Sequence, residues 1–338
     1  MNFYLSTFIS GFENLIFDII KKDIKDINVI LLLDGMIAYK TDTQILEIQR
    51  IRYFNNSFLI LKKKTFKSPI CEDVLNEFIT EINNNDIQLK NYSLPDSKYF
   101  RVLFSIENKL VSADRSVIHE IVEKIKKLTK KQYSYKNTGA EFWFFIRREQ
   151  VAFWALRITN NKKKTLRGEL RPELTHLLCR LSEPKEMDIF LDPFCGTGTI
   201  PLERSRISKF NIIFACDTSR NLTDKLKDIV AKTKNKKLKR SFMIKNRDFF
   251  NNGFENNFID VIATDPPWGI YQQIEDNFYQ KFIDECHRIL KKGGRLVVLV
   301  SRDNFFPEET KNGFAMDSRY NILVSGKKAE VFVFIKNG

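Results

Sequence analysis

The feature that most constrains this chain is a glycine-rich turn between a strand pattern and a helix pattern. Residues 188–191, which are apolar after Asp188, lead into Asp192–Thr199, whose sequence is DPFCGTGT, and residues 200–204 leave it with helical spacing. Glycines let a backbone approach a ligand closely, and the first turn of a helix offers unpaired N–H groups. The turn differs from the dinucleotide fingerprint, because Pro201 stands where a third glycine would be. The pattern predicts a ligand-binding loop in an α/β fold.

Length and charge indicate a globular protein with an anionic partner. The 338 residues suffice for two or three domains, and the formal net charge is +14. Nucleic acid is the usual partner of so basic a protein, although a genome bias towards lysine would also raise the charge. Five scattered cysteines without a C-x-x-C pair, and three histidines without ligand spacing, predict neither disulfides nor a metal site. With no apolar run near 18 residues and no signal peptide, we expect a cytoplasmic protein without membrane association.

The first half of the chain shows mixed helix and strand patterns. We expect residues 1–165 to form an α+β module, which the polar stretch 160–165 separates from the rest. Residues 142–146 and 151–157 are predicted to pair as a hairpin, and their aromatic side chains either form a sheet core or stack on RNA. The other predicted helices are 10–22, 71–83 and 115–128, and the other predicted strands are 29–33, 45–52, 57–62 and 101–106.

From residue 166 to residue 338 strand and helix patterns alternate, as a parallel sheet requires. After a helix that follows Pro172, we predict a Rossmann-like domain with a seven-stranded, mostly parallel sheet and a C-terminal antiparallel hairpin. The helix 277–291 is expected to close on Lys-Lys-Gly-Gly. The predicted strands are 188–192, 211–216, 241–245, 259–264, 295–301, 320–324 and 329–335, and the other predicted helices are 199–206 and 220–232.

Acidic residues end or follow four of these strands. Asp192 is the last residue of the first, and Asp217, Asp248 and Asp265 come after the next three. In a doubly wound sheet, ligands bind beyond the carboxyl ends of the strands. Asp217 is placed to accept hydrogen bonds from both hydroxyls of a ribose, and Asp248 to meet an adenine amino group. The four positions together therefore predict a nucleoside ligand.

Asp265 begins the second motif, Asp265-Pro266-Pro267-Trp268. Prolines lack an N–H and are stiff, so nearby carbonyls are fixed as acceptors. The Asp265 carboxylate and the Pro266 carbonyl could accept both N–H groups of an exocyclic amine, and Trp268 could stack on a base that has left its helix. The alternative is a Pro-Pro turn beside a buried tryptophan.

The two motifs together resemble those of class I S-adenosylmethionine-dependent methyltransferases that modify exocyclic amino groups. DNA amino-methyltransferases with a permuted motif order place the D-P-P-W element first, and this chain has the opposite order. Carbon-5 cytosine methylation would need a cysteine nucleophile in the fourth-strand loop, which holds none.

A closer resemblance is to the THUMP-domain RNA guanine-N2 methyltransferases, notably those that act on tRNA. It is carried by Gly11-Phe12-Glu13, by residues 152–157 and by residues 167–174, in addition to the two motifs. The resemblance implies a ferredoxin-like and THUMP-like module before the catalytic domain. It also implies direct methyl transfer to guanine N2 without a metal, with tRNA as the favoured substrate. Members more often have Tyr or Phe at the position of Trp268.

The resemblance implies S-adenosylmethionine as the cofactor and assigns site residues. The catalytic residues are Asp265, Pro266, Pro267 and Trp268. The expected cofactor-binding residues are Asp192, Pro193, Phe194, Cys195, Gly196, Thr197, Gly198, Thr199, Asp217, Thr218, Asp248, Phe249 and Asp265. Independently of the resemblance, the basic residues of the predicted hairpin and of the polar linker give the expected RNA-binding residues, which are Arg147, Arg148, Lys162, Lys163, Lys164 and Arg167.

Several alternatives stay open at this point. The acceptor could be a guanosine of 23S rRNA, an adenine N6 of DNA or RNA, or a protein glutamine, although the basic N-terminal half argues against a protein substrate. The chain could also be a catalytically inactive RNA-binding protein. The lysine-rich segment 225–247 is either a solvated helix face or a second surface for phosphates. The oligomeric state is open, with a monomer favoured.

Overall fold

The computed structural model describes residues 2–67, 72–84, 94–137, 139–159, 169–269, 273–302 and 313–337. The chain divides into two compact units. The N-terminal unit comprises Met1–Thr7, Leu15–Ile51 and Asn56–Asn161. The C-terminal unit comprises Phe8–Asn14, Arg52–Asn55 and Lys162–Gly338. The predicted boundary at residue 165, and the RNA-binding role of the part before it, remain predictions.

The N-terminal unit is built on a mixed sheet in which nine strands are described. The strands lie in the order β2-β3-β1-β4-β9-β8-β5-β6, and β7 pairs with β5. The predicted hairpin is confirmed, because β8 and β9 pair antiparallel. The elements in chain order are β1 (Asn2–Thr7), α1 (Glu13–Asp23), β2 (Asn28–Leu33), β3 (Met36–Thr41), α2 (Ile45–Arg50), β4 (Asn56–Thr65), α3 (Glu72–Asn84), β5 (Tyr99–Ile106), β6 (Lys109–Val111), α4 (Arg115–Thr129), β7 (Gln132–Tyr133), β8 (Ala140–Arg147) and β9 (Val151–Arg157).

The aromatic residues of β8 are core residues. Phe142 and Phe144 belong to a buried cluster with apolar side chains of α3 and α4, whereas Phe145 belongs to a second cluster with Leu5 and Phe58. Successive side chains of a strand point to opposite faces of a sheet. β8 is therefore covered on both faces, which explains its continuous apolar sequence.

Two predictions for the N-terminal unit are corrected. Residues 45–52 were predicted as a strand, but Ile45–Arg50 form α2, in which Ile45 and the buried Ile48 share one side of the helix. β1 and β3 were not predicted, although they pair along their whole length, from Asn2 with Thr41 to Thr7 with Met36.

The C-terminal unit contains the predicted seven-stranded sheet, in the order β12-β11-β10-β13-β14-β16-β15. The first five strands in this order are parallel, and β16 and β15 form an antiparallel hairpin beside β14. The predicted fold class is confirmed. The elements are α5 (Pro172–Leu181), β10 (Ile189–Asp192), α6 (Thr199–Ile207), β11 (Ile212–Asp217), α7 (Arg220–Lys232), α8 (Lys236–Ser241), β12 (Phe242–Asn246), a 3-10 turn (Phe249–Asn251), β13 (Ile259–Thr264), α9 (Phe278–Ile289), β14 (Leu290–Ser301), β15 (Phe314–Val324) and β16 (Lys327–Lys336).

The predicted end of the last helix is wrong. α9 stops at Ile289, and Leu290 already pairs with Ile259 as the first residue of β14. The Lys-Lys-Gly-Gly stretch expected to close the helix lies in an irregular start of this strand, where the register shifts before Arg295 pairs with Val261.

A buried ion network joins three segments of the C-terminal unit. Glu203 of α6 is only 2% exposed, and it accepts two hydrogen bonds from Arg52, from Nε at 2.6 Å and Nη2 at 2.7 Å. Its Oε1 lies 2.8 Å from Nδ1 of His176 in α5. Burial by itself would raise the pKa of Glu203, but the hydrogen bonds from His176 and Arg52 outweigh burial and lower this pKa to about 2. The network attaches the segment Arg52–Asn55 to the helices that follow it much later in the sequence.

We expect Glu203→Gln to lower the free energy of unfolding by about 2–4 kcal/mol at pH 7, because it removes a buried charge whose hydrogen bonds with the half-exposed Arg52 and the largely buried His176 depend on it. Urea unfolding of the full chain measures the change. The folded pKa lies below the ordinary glutamate value of about 4.3. The stabilisation is therefore complete above that value, and the difference between wild type and variant shrinks as the pH falls towards 2.

Glu186→Gln is a matched control. Glu186 forms an exposed pair with Lys209 at 3.2 Å, and exposed pairs contribute about 0–1 kcal/mol. Equal losses of stability in the two variants would contradict the role assigned to the buried network.

Candidate active site

The two sequence motifs meet at the carboxyl ends of the parallel strands of the seven-stranded sheet. β10 ends at Asp192, β13 ends at Thr264, and the two strands are parallel neighbours although β11 and β12 lie between them in sequence. The strand order therefore changes direction between β10 and β13. In open α/β sheets such a switch point forms a crevice in which ligands bind. The turn at Gly196 follows β10 and the loop at Trp268 follows β13, so both lie at these carboxyl ends.

Asp192 connects the ends of the two strands. Its side chain is buried, and its Oδ1 accepts hydrogen bonds from the hydroxyl of Thr264 at 2.7 Å and from the backbone N–H of Phe194 at 3.3 Å. Burial, followed by the nearby carboxyls of Asp265 and Asp217, raises the pKa of Asp192 to about 8 despite these hydrogen bonds. At neutral pH the carboxyl is therefore mainly protonated, and a positive charge nearby would favour its ionisation.

The glycine-rich turn is open on one side and tightly packed on the other. Gly196 has φ +51°, and a Cβ built on it would have no atom within 4 Å. Gly198 has φ +85°, and its Cβ would lie 2.4 Å from Cδ1 of Leu226. Backbone hydrogen bonds fix the turn, from Cys195 N–H to the Cys216 carbonyl at 2.8 Å and from Gly198 N–H to the Cys195 carbonyl at 2.7 Å.

The other residues of the turn differ in exposure. Pro193 and Cys195 are buried, and burial raises the pKa of the Cys195 thiol above its ordinary range. Cys195 is therefore a neutral packing residue. Thr197 is partly exposed, and Thr199, also partly exposed, is the first residue of α6.

Asp217, at the end of β11, is held against the turn. Its Oδ2 accepts a hydrogen bond from the Gly196 N–H at 2.9 Å, and its Oδ1 accepts one from the Ser219 N–H at 2.8 Å. A carboxylate can accept about four hydrogen bonds, so each oxygen retains acceptor capacity for a ligand. Thr218, the next residue, is exposed.

Asp248 and the phenylalanines after it follow β12. Asp248 is exposed and caps a short 3-10 turn by accepting a hydrogen bond from the Phe250 N–H at 3.0 Å. The Phe249 side chain was predicted to bind a ligand, but it is buried, with its ring 5.6 Å from that of Phe194. Phe250, which the sequence analysis missed, is 41% exposed and packs edge-on against Phe278.

The loop after β13 presents a carboxylate and a carbonyl. Oδ1 of Asp265 accepts a hydrogen bond from the indole N–H of Trp268 at 2.8 Å. Within the described ranges, no group donates to Oδ2 of Asp265 or to the carbonyl of the buried Pro266. Burial raises the pKa of Asp265 to about 7, and the hydrogen bond from Trp268 opposes this rise. The loop therefore offers two acceptors, which is the number that an amino group with two N–H bonds requires.

Tyr279, another residue that the sequence analysis missed, holds this loop from α9. It is buried, and its hydroxyl donates a hydrogen bond to the carbonyl of Pro267 at 2.9 Å. Its position at the second residue of a helix gave no signal in the sequence, because a tyrosine there is equally typical of a core residue.

The residues predicted to contact RNA have different outcomes. The expectation for Arg147 is corrected: its side chain is 2% exposed and donates hydrogen bonds to Asn108 at 2.5 Å and to the carbonyl of Asp34 at 3.2 Å, so it has no surface to offer. Arg148 is 69% exposed beside Glu107 and Glu149, and its contact with RNA remains a prediction. Lys162, Lys163, Lys164 and Arg167 lie outside the described residues.

Two negative observations apply to the described part of the chain. It holds no group of three or more His, Cys, Asp or Glu side chains arranged to bind a metal ion. None of its helices is long and apolar enough to cross a membrane.

A protein-family comparison identifies the region that carries the site. Residues 160–328 match the family described as "RMKL-like, methyltransferase domain". Among curated proteins, the tRNA (guanine(6)-N2)-methyltransferase of Methanocaldococcus jannaschii is 25% identical over 204 residues, which are 49% of this chain and 53% of the relative. The tRNA (guanine(10)-N2)-dimethyltransferase of the same organism is 28% identical over 168 residues, which are 46% of this chain and 43% of the relative. The chain thus spans about half the length of the curated relatives it matches.

A comparison with solved structures covers the whole chain. The crystal structure of TrmN from Thermus thermophilus superimposes with a TM-score of 0.80 over 99% of this chain and 100% of that one, at 19% sequence identity. At this identity the likeness shows that the two chains share a fold.

The two glycines of the turn give a matched pair of variants. We expect Gly198→Ala to destabilise the protein by about 2–4 kcal/mol, because the new methyl group overlaps Leu226 and the residue has a left-handed conformation. Gly196→Ala should lower the free energy of unfolding by only about 1 kcal/mol, since the new methyl group meets no atom and only the left-handed conformation of the backbone is unfavourable. Urea unfolding of both variants measures the difference.

Similar losses in the two alanine variants would show that the space described beside Gly196 is not open. The methyl group of Gly196→Ala would also enter the volume that a ligand of the turn needs. This variant therefore separates folding from ligand binding.

Proposed function

The chain belongs to the family of RMKL-like methyltransferase domains, and on this premise we propose that it transfers a methyl group from S-adenosylmethionine to the exocyclic N2 amino group of a guanosine in tRNA. The observation that carries the proposal is the meeting of two loops at one switch point. The glycine-rich turn after β10 and the Asp265–Trp268 loop after β13 follow adjacent strands whose ends are joined by the 2.7 Å hydrogen bond between Thr264 and Asp192.

The residues at the turn fit S-adenosylmethionine. The open volume beside Gly196 leaves room for the methionine part of the cofactor. The acceptor capacity that the Asp217 carboxylate retains suits two ribose hydroxyls. We assign Asp248 and the ring of Phe250, both of which are exposed, to the adenine. When bound, this cofactor supplies a methyl group that a positively charged sulfur already activates.

The contribution of the loop is to orient the acceptor amine. Oδ2 of Asp265 and the carbonyl of Pro266 would each accept one N–H, which aligns the nitrogen lone pair with the turn and lowers the need for reorganisation during transfer. The ionised form of Asp265 would also stabilise the positive charge that develops on the nitrogen. Trp268, which donates to Oδ1, fixes the carboxylate in one orientation and keeps its ring at the loop for stacking on the base.

Two observations support RNA, and specifically tRNA, as the substrate. The net charge of +14 favours a polyanion, and both curated relatives described above are named as tRNA guanine-N2 enzymes. A nucleoside digest of tRNA and 23S rRNA after incubation with labelled cofactor tests the assignment. Label in N2-methylguanosine from tRNA supports it, whereas label in N6-methyladenosine, label confined to rRNA, or no label in any nucleoside overturns it.

Asp265→Ala should reduce the rate of methylation by about 10²–10³-fold or more, because one acceptor of the amine and the charge stabilisation are both lost. Binding of tRNA should change by no more than a few-fold. Single-turnover kinetics and a filter-binding titration measure the two effects.

Trp268→Phe is the companion variant, since it removes the indole donor to Asp265 but keeps a ring that can stack. It should retain far more activity than Asp265→Ala. Equal loss of methylation and RNA binding in Asp265→Ala would contradict the catalytic role of the carboxylate.

Binding of S-adenosylmethionine should release protons near pH 7. Asp192 and Asp265 have raised pKa values of about 8 and about 7 without the ligand, and a cationic ligand favours their ionised forms. Affinity should therefore rise with pH through this range, by up to about tenfold per pH unit for each coupled proton, and level off above it. Calorimetry in buffers of different ionisation enthalpy measures the protons released.

S-adenosylhomocysteine is the matched ligand for this experiment, because it lacks the positive charge on sulfur. It should release fewer protons than S-adenosylmethionine. Equal release by the two ligands would show that the carboxyls do not respond to the sulfonium.

A further inference from the structure

The positive charge of this chain is concentrated in one short segment. Residues 220–247 hold eleven of the basic side chains and only two acidic ones, Asp224 and Asp228, and so account for nine of the fourteen net positive charges. The remaining 310 residues are therefore nearly balanced in charge. A genome bias towards lysine would raise the charge along the whole chain and does not explain this concentration.

The segment lies at one end of the seven-stranded sheet. It includes α7, α8 and β12, and β12 is the first strand in the strand order. We use the name basic edge for seven exposed side chains of this segment: Lys225, Lys232, Lys234, Lys236, Lys239, Arg240 and Lys245.

The basic edge is not neutralised by the protein itself. Across the described ranges, no ion pair joins any of its seven side chains to a carboxylate, and the segment's described pair is that of Lys227 with Asp224 at 2.7 Å. Elsewhere in the C-terminal unit, by contrast, basic residues such as Lys291 and Arg295 pair with nearby acids at 2.7 Å. Uncompensated like charges repel one another and lower stability, so their concentration favours an external anion.

Protection of the sheet edge explains only part of this pattern. A lysine on an edge strand prevents pairing with another sheet, and Lys245 of β12 can serve this purpose. The other six residues lie on α7, on α8 or between them, where no strand edge needs protection.

The basic edge continues to the candidate active site. Asn246, the last residue of β12, pairs in register with Asp217 and donates hydrogen bonds to the carbonyls of Asp217 and Thr218 at 3.0 and 2.8 Å. Arg247 and Asp248 follow directly. β12 is three strand spacings from β13 in the sheet, which corresponds to about 15 Å. A few nucleotides of RNA backbone span this distance, so one RNA molecule can contact both β12 and the loop after β13.

We propose that the basic edge is an RNA-binding surface of the C-terminal unit, which holds phosphates of the substrate RNA a few nucleotides from the base that enters the active site. The inference rests on the proposed function for the identity of the RNA. Contacts of lysine with phosphates are independent of sequence and sensitive to salt. The surface therefore adds affinity and orientation, while the loop at Trp268 selects the base.

The test compares two triple variants with the same change in net charge. Lys232→Gln, Lys234→Gln and Lys236→Gln together alter the basic edge. Lys292→Gln, Lys327→Gln and Lys328→Gln together alter exposed lysines at the start of β14 and at the start of β16, in the half of the strand order that lies away from β12. Fluorescence anisotropy of a labelled tRNA transcript, over a series of KCl concentrations and without cofactor, gives affinity and salt dependence for the full-length proteins.

We expect the basic-edge variant to bind tRNA about 10–100-fold more weakly at 0.1 M salt, with the slope of log K against log[salt] smaller by about 2–3, since about 0.7–0.9 of a counterion is released per phosphate contact. Its KM for tRNA should rise, while kcat and the Kd for S-adenosylmethionine stay unchanged. The control variant should lose no more than about threefold.

Each contrary result has a distinct meaning. Equal losses of tRNA affinity in the two triple variants overturn the inference, and so does an unchanged salt slope in the basic-edge variant. The inference is also overturned if the basic-edge variant loses binding to phosphatidylserine vesicles while its tRNA binding stays intact. If the basic-edge variant has a lower melting temperature than the wild type, tRNA affinity is measured for the double variant with Lys236→Glu and Lys239→Glu on α8. Unchanged tRNA affinity in this double variant also overturns the inference. Failure of the wild type to methylate guanosine would refute the proposed function, and the binding measurements would still decide whether the basic edge holds RNA.

Discussion

The arrangement of the site depends on one buried contact between the ends of two strands. The carboxyl of Asp192 on β10 accepts a hydrogen bond from Thr264 on β13, in a place from which water is excluded. A buried carboxyl without a donor would be costly, so this contact favours a single alignment of the two strand ends. The glycine-rich turn leaves one end and the Asp265 loop leaves the other. Their relative position is therefore set by the sheet, while Tyr279 and the Cys216 carbonyl only fix each loop locally.

The part of the fold that the sequence predicted is the part with strong periodicity. From β10 to β13 the strands are mostly apolar runs, and α6 and α7 have regular helical spacing, so the elements predicted there were placed within about two residues, although α8 was not predicted. Prediction failed where a short pattern fits two structures. The six residues of α2 hold two isoleucines that suit a strand as well as one turn of helix. Leu290 continues the apolar spacing of α9 but belongs to β14.

Contacts between distant segments were beyond what one sequence can predict. The sequence around Arg52 does not indicate that its guanidinium binds Glu203, 151 residues later. Nor does the sequence of Phe8–Asn14 indicate that this segment belongs to the C-terminal unit. The same limit explains the two arginines of the β8–β9 turn. Arg147 and Arg148 are adjacent and chemically alike, yet the pleat of the strand turns the first into the protein and the second outward. Exposure at such a place follows from what covers each face, which the local sequence does not contain.

The charges of the C-terminal unit are divided between two places with opposite tasks. The site contains the carboxyls of Asp192, Asp217 and Asp265, which suit a cationic ligand but would repel the phosphates of an RNA. Burial reduces this conflict, and at Asp192 the neighbouring carboxyls add to it. The pKa values of Asp192 and Asp265 are raised to about 8 and about 7, so these two carboxyls are only partly ionised at neutral pH. Attraction of a polyanion then has to come from elsewhere on the unit. The segment 220–247 places nine net positive charges at the sheet edge beside the site, outside the carboxyl cluster. Separating the two charges lets the same unit bind a cation in the crevice and an anion next to it.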